Sequence, residues 1–181
     1  MKWMNIPNLL TTLRIFLVPV YLYIFYSGSE NNVLYAGLIF ILAGITDVLD
    51  GYIARKYDLG TQLGAVLDPF ADKLMIFTIL ITFATSGIIP MWILVALGIK
   101  EFVMIIGGGI LYLFKGKQVL PSNKFGKAAT LIFYAATLSI VFKLPDMLSI
   151  ILFTITVLFN FIAFTNYLLI YIKIRNNPAK G

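Results

Sequence analysis

The chain has 181 residues, 60% of them hydrophobic and only 12% charged, with a mean hydropathy of +0.94; soluble domains carry about 25% charged residues, so this surface suits a bilayer better than water. It contains neither cysteine nor histidine, which excludes a disulfide framework, thiolate or imidazole metal sites, and cysteine or histidine catalysis. The net charge of +6 is carried between apolar segments, which points to topology and anionic lipid and away from nucleic acid.

A membrane-crossing helix needs roughly 20 mostly apolar residues. Six stretches qualify, so the sequence predicts an all-α, polytopic membrane bundle of about six transmembrane helices in a single domain, residues 1–181, with no internal repeat. The first is Ile6–Tyr26. It has no small-residue cleavage site, and Asn8, Thr11, Thr12 and Arg14 interrupt its apolar run. It therefore reads as a retained helix whose start can lie in the interface, not as a signal peptide. Ser27-Gly28-Ser29 closes it, and Val33–Ala54 follows, ending at Asp58-Leu59-Gly60. The third stretch, Gly64–Thr85, ends at Ser86-Gly87, and the fourth, Pro90–Phe114, at Lys115-Gly116-Lys117 with Pro121. Phe125–Phe142 and Met147–Ile172 flank Leu144-Pro145-Asp146. Each break carries turn chemistry.

With the N-terminus in the cytoplasm, the inner side receives Lys2, Arg55, Lys56, Lys115, Lys117, Lys124, Lys127, Lys173, Arg175 and Lys180, and the outer loops receive Lys143 alone. The positive-inside rule then predicts a multi-pass cell-membrane protein with a cytoplasmic N-terminus.

Four aspartates stand in or beside apolar segments: Asp47, Asp50, Asp68 and Asp72. An acid at membrane depth is costly and marks function or a helix-packing hydrogen bond. Asp47 and Asp50 are spaced i,i+3 and Asp68 and Asp72 i,i+4, so each pair shares a helix face. At about 1.5 Å per residue, Asp47 and Asp72 lie roughly 12 Å from the inner ends of their helices. Two antiparallel helices would present both pairs at similar depth in a pocket open to the cytoplasm. Oxygen-only ligands suit Mg²⁺ or Mn²⁺, with room for two ions, which clamp phosphate oxygens. Gly51, Ala54, Gly60 and Gly64 allow a bulky ligand close to the backbone, and Arg55 can pair with a phosphate.

Read together, Asp47-x2-Asp50-Gly51-x2-Ala54-Arg55-x8-Gly64-x3-Asp68-x3-Asp72 resembles the signature of the CDP-alcohol phosphotransferases, with eight fixed positions filled over 26 residues. The resemblance implies transfer of a phosphatidyl group from CDP-diacylglycerol to a small alcohol acceptor, with release of CMP. It further implies two divalent metals on Asp47, Asp50, Asp68 and Asp72, with Asp72 as general base. Gly51, Ala54, Arg55, Thr61 and Gly64 would line the CDP-diacylglycerol site of a homodimer whose active site faces the cytoplasm. The stretch Asn5-Ile6-Pro7-Asn8-Leu9-Leu10-Thr11-Thr12-Leu13-Arg14 is similar to the opening of the phosphatidylglycerophosphate and cardiolipin synthases in that family. It would bring Asn8 and Thr11 to the nucleotide. The first acceptor this suggests is glycerol 3-phosphate, with phosphatidylglycerol the rival. Gly126-Lys127 is similar to a Gly-Lys-x-Lys-Thr element of these synthases, with Ala129 in place of the second lysine.

Lys100 and Glu101 fall in mid-segment. As neighbours they do not share a helix face, so either Lys100 serves the acceptor or each finds its own partner in the bundle. Lys124 and Lys127 could bind an acceptor phosphate or report topology alone, and Lys173 and Arg175 suit snorkelling. Gly107-Gly108-Gly109 lacks the following Lys-Ser or Lys-Thr of a phosphate loop and reads as helix packing. A cation transporter would need acids along a path through both leaflets, whereas these gather near one face. A catalytically silent scaffold is the remaining alternative.

Overall fold

The computed structural model describes the backbone of residues 5–115 and 124–176, and most of their side chains. It is all-helical among those residues, with α1 Ile6–Phe25, α2 Asn32–Lys56, α3 Gln62–Thr85, α4 Met91–Lys115, α5 Lys124–Val141 and α6 Asp146–Asn176. These are the six expected stretches, each extended or trimmed by a few residues. The proposed break at Gly116, Lys117 and Pro121, together with Lys2 and Lys180, lies outside the described residues, as do the side chains of Lys115, Lys173 and Arg175. Gly107-Gly108-Gly109 lies inside α4, so it forms no phosphate loop.

By length and composition α1, α2, α5 and α6 are each able to cross a membrane. In α3 the same test meets Asp68, Asp72 and Lys73 within any 18 residues. These three charges mask a helix that is otherwise as apolar as its neighbours. Many large apolar side chains point outward, among them Tyr23, Leu131 and Met147 at 80%, 72% and 75% exposure, as expected where the surroundings are lipid.

The chain forms two compact units, residues 1–88 and 89–181. In the first, α1 packs against both α2 and α3, which barely touch each other. The order is α2–α1–α3, with the earliest helix in the middle. The buried faces at this packing are Leu17, Val18, Tyr21 and Phe25 of α1, Phe40 with the small residues Ala36, Gly37 and Ala43 of α2, and Met75, Ile79, Leu80 and Phe83 of α3. Small residues let helix backbones approach closely, which in lipid is the main source of packing energy. The Tyr21 hydroxyl and Thr82 Oγ1 are 2.9 Å apart, so these two buried hydroxyls satisfy each other.

In the second unit α6 packs on both α5 and α4. Phe133 and Phe153 meet edge to face at 5.8 Å, and the Ser139 and Ser149 hydroxyls are 2.7 Å apart.

Three helices stop in the same way. Leu59 N–H donates to Ala54 O, Ile88 N–H to Phe83 O and Leu144 N–H to Ser139 O, at 3.0, 2.9 and 2.9 Å, each spanning a residue at positive φ: Asp58, Gly87 and Lys143. This is the Schellman stop, whose left-handed position favours glycine. Lys143, at φ 53°, carries the Cβ penalty of that region. Lys143→Gly should raise stability by about 0.5–1 kcal/mol, read as a higher Tm in detergent; an unchanged or lower Tm would show the lysine compensated by another contact.

Candidate functional site

On α1 the buried positions Pro7, Asn8, Thr11, Arg14, Leu17, Val18, Tyr21 and Phe25 recur every three or four residues, forming one helix face. The N-terminal half of that face is polar. Asn8, Thr11 and Arg14 are 6%, 0% and 2% exposed. A guanidinium withdrawn this far from water needs anions beside it. On α2 the buried stripe Ala36, Phe40, Ala43, Thr46 continues directly to Asp50, so the helix period brings that acid onto α1.

Arg14 Nη2 donates to Asp50 Oδ2, and Nη1 lies 2.5 Å from Asp47 Oδ1. The Nη1 contact is an ion pair without hydrogen-bond alignment, and neither Nη1 nor Nε has a hydrogen-bond acceptor in the described protein. Arg14 spans the two acids of α2, one on each Nη atom. The two acids differ sharply in exposure, Asp47 at 42% and Asp50 at 4% of the side chain.

Thr11 links the third helix. Its Oγ1 is within reach of Pro7 O at 3.1 Å and Asp50 Oδ2 at 3.4 Å, and it donates to Asp68 Oδ1, the closest of the three. One hydroxyl proton serves one acceptor at a time, so Thr11 holds α3 while its lone pairs sit beside α2. Asp72, one turn beyond Asp68 and partly buried, completes the acids of α3.

The acids of α2 and α3 converge through α1, which packs against both helices. Like charges on α2 and α3 would repel at close approach, and α1 supplies the cation and hydroxyl that let them converge. Among the described residues no three acidic side chains close around a point as a metal-binding group. The donors nonetheless fit a hard divalent ion in kind, being carboxylates with no sulfur or imidazole among them. Arg14 also shows that this place draws in positive charge.

A second cluster lies at the turn between α2 and α3. Thr61 caps α3, its Oγ1 accepting from Gly64 N–H at 2.9 Å and donating to Asn8 Oδ1 at 3.0 Å. Asn5 Nδ2 reaches Leu59 O at 3.5 Å. A Cβ on Gly64 would fall 2.8 Å from Asn8 Oδ1 and 3.1 Å from Thr61 Oγ1. No side chain fits there unless the Asn8–Thr61 contact shifts. Gly64→Ala should cost about 1–3 kcal/mol through overpacking, read as a lower Tm; a Tm within a degree of the parent's would mean that Asn8 yields freely.

Asn8, Thr61 and Gly64, predicted to share a nucleotide site, are thus in contact. Gly51 and Arg55 meet one turn apart on α2, where a Cβ on Gly51 would lie 3.4 Å from Arg55 Nη1. The exposed guanidinium therefore lies back over the glycine. Ala54 is partly buried, and its carbonyl serves the α2 stop.

The three lysines proposed for the acceptor lie in the second unit. Lys124 and Lys127 are exposed in the first turn of α5. Lys100 Nζ is 2.6 Å from Glu101 Oε1, a contact neither sequence reading, an acceptor role for Lys100 or separate partners for the two, had included. Adjacent residues point to different sides of a helix, but both side chains are long, and in an apolar setting a charge without an opposite one costs more than the bend that joins them. What sequence reasoning missed is Arg14, which it took only as an interruption of the apolar run. The signal was present in the spacing of Thr11, Arg14, Val18, Tyr21 and Phe25, which puts the arginine on the packed face.

The sequence profile of the family described as CDP-alcohol phosphatidyltransferase matches residues 4–165. A Mycobacterium bovis protein named "Putative cardiolipin synthase" is 35% identical over 127 residues, 70% of this chain and 59% of its own. Two proteins named CDP-diacylglycerol–glycerol-3-phosphate 3-phosphatidyltransferase are similar over shorter stretches. The one from Rickettsia bellii is 49% identical over 77 residues, 42% of each chain. The one from Pseudomonas fluorescens is 46% identical over 78 residues, 43% of this chain and 40% of its own. The matched stretches thus span roughly half the length of these curated relatives.

Proposed function

The chain belongs to the CDP-alcohol phosphatidyltransferase family, and from that premise we propose that it transfers a phosphatidyl group from CDP-diacylglycerol to glycerol 3-phosphate, forming phosphatidylglycerophosphate and CMP. The observation that carries this is the gathering of the Asp47, Asp50 and Asp68 carboxylates on Thr11 and Arg14, next to the Asn8–Thr61–Gly64 cluster. Both lie inside the matched segment. That match runs through both compact units, so we take residues 1–181 as one catalytic domain.

In this reading Asn8, Thr61 and Gly64 seat the nucleotide against backbone, with Gly51, Ala54 and Arg55 on its phosphate side and Thr11 between nucleotide and acids. Mg²⁺ or Mn²⁺, two ions in all, held by Asp47, Asp50, Asp68 and Asp72, would neutralise the pyrophosphate and the departing CMP. Asp72 takes the proton of the acceptor hydroxyl. The alcohol oxygen bonds to the β-phosphorus as the bond from that phosphorus to the bridging oxygen breaks, and CMP leaves with the electron pair. Lys100, Lys124 and Lys127 are the groups we assign to the acceptor phosphate. The enzyme works as a homodimer, with its N-terminus and active site on the cytoplasmic side, and the lipid tails stay in the bilayer.

A second acceptor, phosphatidylglycerol, is favoured by the relative named as a cardiolipin synthase, which aligns over the longer stretch. Glycerol 3-phosphate is favoured by the higher identity of the shorter matches. The test is to incubate purified protein with CDP-diacylglycerol, Mg²⁺ or Mn²⁺ and each acceptor, and to identify the lipid formed. CMP release that needs glycerol 3-phosphate and stops with EDTA supports the reading. Cardiolipin as product selects the second acceptor. No CMP with any acceptor, together with cation flux in vesicles, would replace it with transport.

A further inference from the structure

We propose that Arg14 is the resident counter-cation of the site, holding Asp47 and Asp50 in the metal-free protein and giving way when a divalent ion binds. The inference rests on the metal part of the function proposed above. It does not follow from the acidic motif, because Arg14 lies outside that motif on a different helix.

Three observations carry it. Arg14 is 2% exposed, yet its charge sits against two of the four motif acids. A group that buried, used as a permanent strut, normally fills its hydrogen-bonding capacity. Of the five N–H donors of a guanidinium, those on Nε and Nη1 find no acceptor in the described protein. Arg14 is thus held close to both acids chiefly by charge, which a divalent ion would supply in its place. Finally, the oxygens Arg14 faces, Asp47 Oδ1 and Asp50 Oδ2, belong to the carboxylates the ion would use. A fixed positive charge at 2.5 Å from one of them opposes the approach of a second cation. The site thus trades one positive charge for another. Without metal, Arg14 keeps α1 on α2 and spares two acids from standing uncompensated at membrane depth. With metal, that compensation is duplicated.

The consequence runs against the usual expectation for a residue touching metal ligands, whose removal weakens binding. Arg14→Gln should bind Mn²⁺ more tightly, by about tenfold or more, because a repelling charge is gone. Its Tm should fall in EDTA and recover in Mn²⁺, so the gap between the two conditions widens relative to the parent.

The experiment is Mn²⁺ titration by electron paramagnetic resonance on the full chain in detergent, with Tm measured in EDTA and in Mn²⁺, for the parent, Arg14→Gln and Arg14→Lys. Arg14→Lys keeps the charge and should bind Mn²⁺ within about threefold of the parent. Its shorter head cannot span both acids, so its Tm should fall in EDTA and recover with Mn²⁺. If Arg14→Gln cannot be purified, Arg14→Lys decides the matter by that recovery alone. Weaker or unchanged Mn²⁺ binding in Arg14→Gln, or equal Tm losses with and without metal, would make Arg14 a plain structural tether and overturn the inference while leaving the metal reading intact. A parent that binds no Mn²⁺ would remove the metal reading itself, and this inference with it.

Discussion

Asp72→Asn is expected to bind CDP-diacylglycerol as the parent does and to lose transfer by about 10²–10⁴-fold in kcat, the range for removal of a general base. Asparagine keeps the size of the side chain and one oxygen toward its neighbours, but it cannot accept the acceptor's proton. Asp72 is the last acid of the motif, one turn beyond Asp68 on α3 and partly buried, and the base role is the one the family resemblance implies for it. The measurement is single-turnover CMP release beside equilibrium binding of the lipid nucleotide. A kcat within about tenfold of the parent's would move the base to another group. Lost lipid binding would make Asp72 a binding residue instead.

The second large effect is on stability and separates two acids that the motif treats alike. Asp50→Ala, measured in EDTA, is expected to cost about 3–5 kcal/mol, because it leaves a buried guanidinium without its aligned partner. Asp47→Ala is expected to cost about 0–1 kcal/mol, since a pair with one half-exposed member is screened by its surroundings. The contrast follows from side-chain exposures of 4% and 42%. Equal losses in the two variants would mean that Arg14 is held by both acids to the same degree.

Helix number and boundaries were legible in the sequence because apolar length and turn residues are local signals. Thr61 was named only through the family resemblance, and its capping of α3 at Gly64 is a local contact the sequence reading did not draw. The placement of α1 between the acidic helices was not legible. Four acids on two helices suggest a direct encounter, and only the three-dimensional count of charges shows that such an encounter needs a cation from elsewhere. Arg14 could have been assigned from the spacing of α1, but a single basic residue in an apolar run reads equally as an interfacial anchor. The Lys100–Glu101 pair escaped because the direction of the Cα–Cβ bonds was taken to fix contacts that long side chains are free to remake. In α3, Pro69 directly follows Asp68 within the helix, removing one i→i−4 backbone bond beside the site. Sequence reading had given that proline no role.

The order of the helices matters for how the protein is made. Every residue of the acid–arginine–threonine network lies between positions 11 and 68, within the first unit, and its cation belongs to α1, which is made before α2 and α3. When the α2 acids reach the insertion machinery, a neutralising partner is already resident in the bilayer. The first half of the chain can therefore settle before the second half exists, and the membrane is spared the two α2 acids without a counter-charge while it waits.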